Sequence, residues 1–185
     1  MNTTTSVAAG TWTVDLTRTR AAFTARHFFG SAVHGTIAVT AATIEVGQDG
    51  HPRRFHATLD PASIDTGHAR RDADLRGKRF LAVAAYPLME VVADRIAATA
   101  DGWCADAVLR ARGREAPLRI DATLDGVATA PQLRLSGSAR LDLREVGIRA
   151  PGFLVRRFVD VSVLAQATRQ ARRSRALHGV WQQRA

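Results

Sequence analysis

The sequence predicts an all-β protein, an antiparallel up-and-down β-barrel with one short helical insertion between strands. Most of the chain alternates apolar and polar residues with a period of two, which is the pattern of strands that bury one face. Short turn sequences separate these segments, so successive strands are expected to pair antiparallel. Residues 60–87 break the alternation. A flat sheet of this many strands would leave an apolar face and two edges exposed, and closure into a barrel removes both problems.

The N-terminal third supplies the first predicted strands. Phe23, Ala25 and His27 share one face of the second strand, and Ile37 lies on the alternating face of the third. A Gly-Gln-Asp-Gly turn at 47–50 separates the fourth strand from the fifth. The predicted strands in this part of the chain are 12–15, 21–29, 33–39, 43–46 and 54–59.

The stretch that breaks the alternation predicts the helical insertion. It opens with a turn at Asp60-Pro61. Asp65 or Thr66 is expected to cap a short helix over residues 68–76, and Gly77 is expected to end it. In a barrel, an insertion of this kind closes one end or guards an opening.

After the insertion the alternation is regular. A hairpin turn is expected at Asp101-Gly102, because glycine permits the positive φ that tight turns need. The predicted strands in this part are 89–94, 103–111, 118–125, 133–141 and 159–167.

Length and composition predict one domain over residues 11–168. Residues 169–185 form a basic tail, with five arginines and no acidic residue, that is expected to be disordered or a short helix. The rest of the chain carries 21 basic and 17 acidic residues, so more than half of the net charge of +9 lies in the tail. No apolar run has the length of a transmembrane helix, and residues 1–10 show no leader, so a cytoplasmic location is expected.

No residue pattern is typical of a catalytic or metal site, and we expect neither an enzyme nor a bound cofactor. Ser63, Asp65 and His68 are close in sequence, but the serine lacks a G-x-S-x-G context. The single cysteine, Cys104, excludes an internal disulfide. The six histidines lack the spacing of a metal-ligand motif.

The inward-facing positions carry many small side chains, which predicts a hollow interior. A barrel of about eight strands is filled by ordinary side chains or holds one small ligand, so alanine and glycine at these positions should leave space for an aliphatic chain. The alternative is that the barrel flattens and that Trp103, Leu109 and Phe23 fill it. The small inward residues are Ala25, Ala93, Ala105, Ala107, Ala111, Ala122, Gly137, Ala139, Ala165 and Ala167.

A spaced set of residues resembles the signature of the YceI-like family. These residues are Ser63-Ile64-Asp65-Thr66-Gly67, Arg71-Asp72, Leu75, Phe80 and Tyr86-Pro87. The chain departs from that signature at Asp74, Gly77 and Leu81. The resemblance covers about residues 11–167. It implies a lipocalin-like barrel of bacterial origin that binds a polyisoprenoid or another long amphiphilic lipid for transport or storage, and some members of the family are secreted stress-response proteins.

The predicted ligand is therefore a long-chain lipid, isoprenoid or fatty-acyl, held without catalysis. Two of the basic residues have an alternative role that does not involve a ligand. Arg71 could form a structural ion pair with Asp72 that holds the helix on the barrel. His27 could be an interior histidine whose hydrogen bonds are satisfied within the protein. An anionic head group would suit the basic residues of the insertion, Arg70, Arg71, Arg76 and Lys78. The predicted ligand-binding residues are Phe23, Ala25, His27, Ile37, Arg71, Phe80, Met89, Val91, Trp103, Ala107, Leu109, Leu135 and Ala139.

A second hypothesis concerns the basic tail. The protein would then be an interaction module that engages an anionic partner, nucleic acid or a membrane surface, through residues 169–185. Leu177, Val180 and Trp181 fall on one side of a helix at this spacing. Weak contact of the tail with an anionic membrane is compatible with the sequence, whereas nucleic-acid binding is not expected. The oligomeric state is not predicted, and a dimer is compatible with the sequence.

Overall fold

The computed structural model describes residues 6–26, 31–125, 130–149 and 156–170. They form a closed antiparallel β-barrel with one α-helix, which confirms the predicted fold class. From β2 onward each strand pairs with the next along the chain, and β1 pairs with β3. Both β1 and β2 also pair with β9, which closes the barrel. The strands are β1 Gly10–Val14, β2 Arg20–Arg26, β3 Ala32–Val46, β4 Pro52–Asp65, β5 Met89–Ala98, β6 Gly102–Ala111, β7 Arg114–Asp125, β8 Gln132–Asp142 and β9 Phe158–Arg169, and the helix is α1 Ala69–Arg76.

Two short strands share one position in the barrel wall. β2 pairs with the first half of β3, and β1 pairs with its last residues. Both strands also pair with β9, so together they occupy the place of one long strand. The break between them is the 3-10 turn Leu16–Arg18, which Asp15 caps by accepting a hydrogen bond from the amide of Thr17. The nine strands therefore build a wall eight strands wide.

β3 and β4 are longer than the sequence predicts. The predicted strands 33–39 and 43–46 are one continuous strand, since register shifts after Thr36 and Val39 absorb the break in alternation. The turn predicted at Asp60-Pro61 is instead a bulge inside β4. There the hydroxyl of Ser63 accepts a hydrogen bond from the amide of Ala38 at 2.7 Å. Proline lacks an amide donor, and a bulge is where a strand tolerates it.

The insertion forms α1 where the sequence predicts it, but the cap is a different residue. Nδ1 of His68 accepts a hydrogen bond from the amide of Arg71 at 3.3 Å, so His68 is the N-cap rather than Asp65 or Thr66. Gly77 ends the helix, as predicted. α1 packs against the last residues of β4, at the end of the barrel that also carries the β6–β7 turn and the β8–β9 loop. We call this end the α1 end, and the opposite end the far end.

The buried side chains form two clusters, one toward each end of the barrel. The cluster near the α1 end includes Val91, Leu109 and Leu118 together with Val146 and Ile148 of the β8–β9 loop. The cluster at the far end is built on Trp12, Trp103 and Leu133 with their neighbours. No helix of the described residues is long and apolar enough to cross a membrane.

Candidate functional site

A cavity of about 830 Å³ lies inside the barrel. All nine strands contribute to its wall, and most of the lining residues are apolar. Small side chains account for the space, because Ala122, Gly137 and Ala139 stand where larger residues would meet across the barrel. A carbon placed at the Cβ position of Gly137 would approach no other atom closer than 3.9 Å. The interior is therefore hollow, and a Cβ atom at Gly137 would make only ordinary van der Waals contacts beside the cavity that this residue lines.

Every charged residue that lines the cavity lies at the α1 end. These residues are Arg71, Asp74, Lys78, Arg79 and Arg112. Lys78 and Arg79 are exposed to solvent, while Arg71 and Arg112 are partly buried. The cavity therefore has one charged end, and positive charge predominates there.

Apolar residues close the far end. Trp12 is fully buried and its indole nitrogen donates a hydrogen bond to the carbonyl of Ala8 at 2.9 Å. Val7 is also buried, and its amide donates to the carbonyl of Gly50 in the β3–β4 turn. Trp103 and Leu133 complete this end. A ligand at the far end would meet hydrocarbon and aromatic rings and no charged group of the described residues.

Hydrogen bonds around Thr66 hold α1 against the barrel. Oδ1 of Asp72 accepts hydrogen bonds from the amide of Thr66 at 3.0 Å and from its hydroxyl. Nε of Arg71 donates to the same hydroxyl at 2.7 Å. Arg71 and Asp72 thus meet at Thr66, and they do not form the direct ion pair that the sequence offers as an alternative.

Asp72 is the one charged side chain that is buried among the described residues. The hydrogen bond from the Thr66 hydroxyl lowers the pKa of the Asp72 carboxyl, and burial opposes this effect only in part. Arg76, one turn further along α1, donates to the carbonyls of Ala62 and Ile64 at 2.7 and 2.8 Å. The helix is therefore attached to the end of β4 by an ionised carboxylate and by arginine bonds to the backbone.

Arg112 links three loops at the α1 end. It occupies the first turn position between β6 and β7 with a φ of 54°, which is uncommon for a residue other than glycine, asparagine or aspartate. One guanidinium nitrogen donates to the carbonyl of Gly147 at 2.7 Å, and another donates to the carbonyl of Lys78 at 3.2 Å. The side chain thereby joins the β6–β7 turn to the β8–β9 loop and to the segment after α1.

Most of the predicted ligand-binding residues line the cavity, although their role in binding stays a prediction. Ala107 does not line it: this residue is 4% exposed and packs in the buried cluster with Val91 and Leu109. Ala107 lies on the inward face, as predicted, but neighbouring side chains of the buried cluster cover it. His27 lies outside the described residues. The predicted residues along the cavity are Phe23, Ala25, Ile37, Arg71, Phe80, Met89, Val91, Trp103, Leu109, Leu135 and Ala139.

Side chains that could have been read as catalytic are occupied by local bonds. Ser63 bonds the backbone of Asp60 and Ala38, Asp65 accepts from the amide of Gly67, and His68 caps α1. Burial, followed by a hydrogen bond with Asp121, raises the pKa of the Cys104 thiol, so little reactive thiolate forms. In the part of the chain that the structure describes, no group of three potential ligands could hold a metal ion.

Sequence reasoning missed several residues of the site. Val7 lies in front of the predicted domain boundary, yet it closes the far end of the cavity. A lone valine in a polar segment carries no periodic signal. Arg79 and Arg112 were not predicted to line the cavity, because their positions depend on how three loops meet in space.

The fold is a closed up-and-down antiparallel barrel with an apolar internal cavity, the class of small barrels that includes the lipocalins. Within that class, the family model of the YceI-like domain matches residues 12–167, and this chain belongs to the YceI-like family. A UPF0312 protein of Pseudomonas syringae pv. tomato is 30% identical over 137 residues, which cover 70% of this chain and 71% of the relative. A UPF0312 protein of Yersinia pestis is 31% identical over 78 residues, which cover 42% and 41% of the two chains.

Solved structures share the fold. The crystal structure of BcnA from Burkholderia cenocepacia superposes with a TM-score of 0.74 at 17% identity, over 84% of this chain and 99% of BcnA. A polyisoprenoid-binding domain from Saccharophagus degradans, implicated in plant cell wall breakdown, superposes with a TM-score of 0.66 at 10% identity, over 86% and 98% of the two chains.

Proposed function

We propose that this protein binds one long-chain amphiphilic lipid, with its hydrocarbon chain inside the barrel and its polar head at the α1 end, and that it carries or stores this lipid without catalysis. The observation that carries the proposal is the cavity of about 830 Å³, which is lined almost throughout by apolar side chains and has charged residues at one end only. The polyisoprenoid-binding domain of Saccharophagus degradans supports an isoprenoid as one candidate ligand.

Hydrocarbon burial is sufficient to drive this binding. Each CH₂ transferred from water contributes about 0.8 kcal/mol, so a chain of about ten carbons contributes roughly 8 kcal/mol before the cost of ordering it. The lining residues offer few polar partners along the strands. Specificity for length and shape is therefore expected to exceed specificity for functional groups along the chain.

The charged end suits an anionic head group. Arg71 and Arg76 already donate to oxygen atoms of Thr66, Ala62 and Ile64, so their donors are partly committed. Lys78 and Arg79 are exposed, and neither has a carboxylate within 4.0 Å among the described residues. These two residues are the ones we expect to contact a phosphate or carboxylate.

The test is to purify the full chain without detergent, extract it with organic solvent and identify the lipids by mass spectrometry. We expect close to one long-chain lipid for each barrel. Recovery of no lipid, combined with no uptake of fluorescent fatty-acyl or prenyl probes, would contradict the proposal.

A matched pair of variants tests the location. Gly137→Phe places a ring in the cavity, and we expect it to lose most of the bound lipid. Leu164→Phe adds the same ring on the outer wall of β9, where Leu164 is 60% exposed, and it should carry as much lipid as the wild type. Equal lipid content in the two variants would place the ligand outside the cavity.

A further inference from the structure

An exposed apolar segment follows α1. Residues 84–88, Ala-Ala-Tyr-Pro-Leu, are all exposed, including Tyr86 at 39% and Leu88 at 49%. Single exposed apolar residues are normal on a protein surface, and Leu164 on the outer wall is one of them. Five consecutive apolar residues are different, because the solvent exposure of the whole segment is unfavourable unless a partner covers it.

This segment lies at the α1 end, beside the charged end of the cavity. The ring of Tyr86 rests on the β6–β7 turn, where a carbon at the Cβ position of Gly113 would come within 3.0 Å of it. The neighbouring turn residue, Arg112, reaches the carbonyl of Lys78. Arg114, the first residue of β7, lies against Gly147 in the β8–β9 loop. The apolar segment and the basic residues around it are therefore one continuous surface.

The basic residues of this surface carry no ion pairs. Within the described ranges, Lys78, Arg79, Arg114 and Arg144 are exposed and have no carboxylate within 4.0 Å. Four acidic residues lie nearby. Asp74 and Glu145 are exposed, Glu115 pairs with Arg110 at 2.9 Å, and Asp142 accepts a hydrogen bond from Arg157 at 2.8 Å. A positive surface with exposed Tyr and Leu side chains is complementary to the phosphate and glycerol region of an anionic lipid bilayer.

We propose that the α1 end docks on an anionic membrane surface, with Tyr86 and Leu88 in the interfacial layer and with Lys78, Arg79, Arg114 and Arg144 against lipid phosphates. We call these six residues the docking face. Docking would turn the charged end of the cavity toward the bilayer, so that a lipid could pass between the two. This role rests on the proposed function, whereas the docking itself is a separate property.

The experiment is flotation of the full chain with vesicles of phosphatidylcholine alone or of phosphatidylcholine mixed with phosphatidylglycerol. We expect binding to the phosphatidylglycerol vesicles only. The double variant Arg114→Glu/Arg144→Glu should weaken this binding about tenfold or more, since each basic residue near an anionic surface contributes appreciably. The variant Tyr86→Ser/Leu88→Ser should weaken it as well. None of these four residues lines the cavity, so uptake of a fluorescent fatty-acyl probe should be unchanged.

The matched control is Arg95→Glu/Arg134→Glu, which makes the same change in net charge at exposed positions on β5 and β8. It should retain most of the vesicle binding. If both charge-reversal variants lost the same amount of vesicle binding, the binding would come from the net charge of the protein, and the proposed docking face would be wrong. A change in oligomeric state on size exclusion with Tyr86→Ser/Leu88→Ser would also overturn it, because the segment would then be covered by a second copy. Loss of probe uptake with intact docking would contradict the proposed function instead.

Discussion

At the scale of single residues, Asp72 shows how a buried charge can serve as an anchor. The residue is 5% exposed, and its Oδ1 accepts two hydrogen bonds from Thr66. Those bonds favour the ionised form, so the carboxyl has a lower pKa in the folded protein than in the unfolded chain. Such a group adds stability above its ordinary pKa of about 3.9, and that stability is lost as the pH falls below this value.

The variant Asp72→Asn tests this anchor. We expect it to lower the melting temperature at pH 7 by several degrees, because the amide is a weaker acceptor for the Thr66 hydroxyl and amide. The difference from the wild type should shrink as the pH falls from about 3.9 through the lower pKa of the folded Asp72 carboxyl, because protonation then removes the charge from the wild type. Melting curves over a pH series provide the measurement. A difference that stays constant over the series would rule out the charge as the cause.

The two interior tryptophans differ in their hydrogen bonds. Nε1 of Trp12 donates to Ala8, while Nε1 of Trp103 is buried without a partner among the described residues. An unpaired buried donor costs free energy, so its removal offsets part of the lost apolar area. Trp12→Phe should therefore destabilise the protein by about 1 kcal/mol more than Trp103→Phe. Urea unfolding of the two variants measures the difference, and equal losses would contradict it.

At the scale of elements, the alternation of each strand predicted which face points inward but not which residues meet empty space. Ala107 and Gly137 both have inward parity, yet only Gly137 lines the cavity. The distinction depends on side chains from other strands at the same level of the barrel. The strand pattern also predicted a break in β3 that register shifts absorb, since β-bulges leave no reliable signal in a single sequence.

Introducing the same ring at these two positions should have opposite effects on stability. Ala107→Phe overpacks a filled cluster, and we expect a loss of about 1–3 kcal/mol. Gly137→Phe places a ring in the cavity without a close contact at Cβ and replaces a glycine inside a strand, so the melting temperature should hold or rise. Thermal melting of both variants decides the matter. A comparable loss in the two would mean that the cavity wall near Gly137 cannot accept a side chain.

The loops at the α1 end could not be predicted from the sequence. The insertion, its helix and Gly77 follow from turn and capping residues in one stretch of chain. The three-way link through Arg112 depends on loops that are far apart in the sequence, and its turn residue has a φ that favours glycine. The conformational preferences of single residues do not indicate which loops come into contact, because the packing of the whole barrel determines those contacts.

At the scale of the whole molecule, closure of the barrel was predictable because a sheet with one apolar face must cover it. The barrel also extends beyond residue 168, the predicted end of the domain. Arg169, which the sequence analysis assigns to the tail, is the last residue of β9 and pairs with Trp12. The amide of Gln170 donates to the carbonyl of Thr11 at 2.9 Å.

The predicted role of the basic tail can be tested without disturbing the barrel. Deleting residues 171–185 removes four arginines but keeps the pairing of Arg169 with Trp12, so the melting temperature should not change. Under the hypothesis that the tail binds an anionic partner, binding to DNA at low salt should fall strongly. Equal DNA binding by the truncated and the full chain would eliminate the tail as a binding element.

The extent of hydrogen-bonded pairing between neighbouring strands differs around the barrel. β8 and β9 pair along their whole length, from Gln132 to Asp142, whereas β4 and β5 pair only over residues 55–59 and 89–93. The β4–β5 pairing ends at Leu59 and Met89, so residues 60–65 of β4 have no partner on β5. Neighbouring strands with few shared hydrogen bonds are the ones that separate most readily in local opening. Native-state hydrogen exchange should therefore be faster in β4 and β5 than in β8 and β9. A flexible hydrocarbon chain would then have a lateral route into the barrel that leaves the far end sealed.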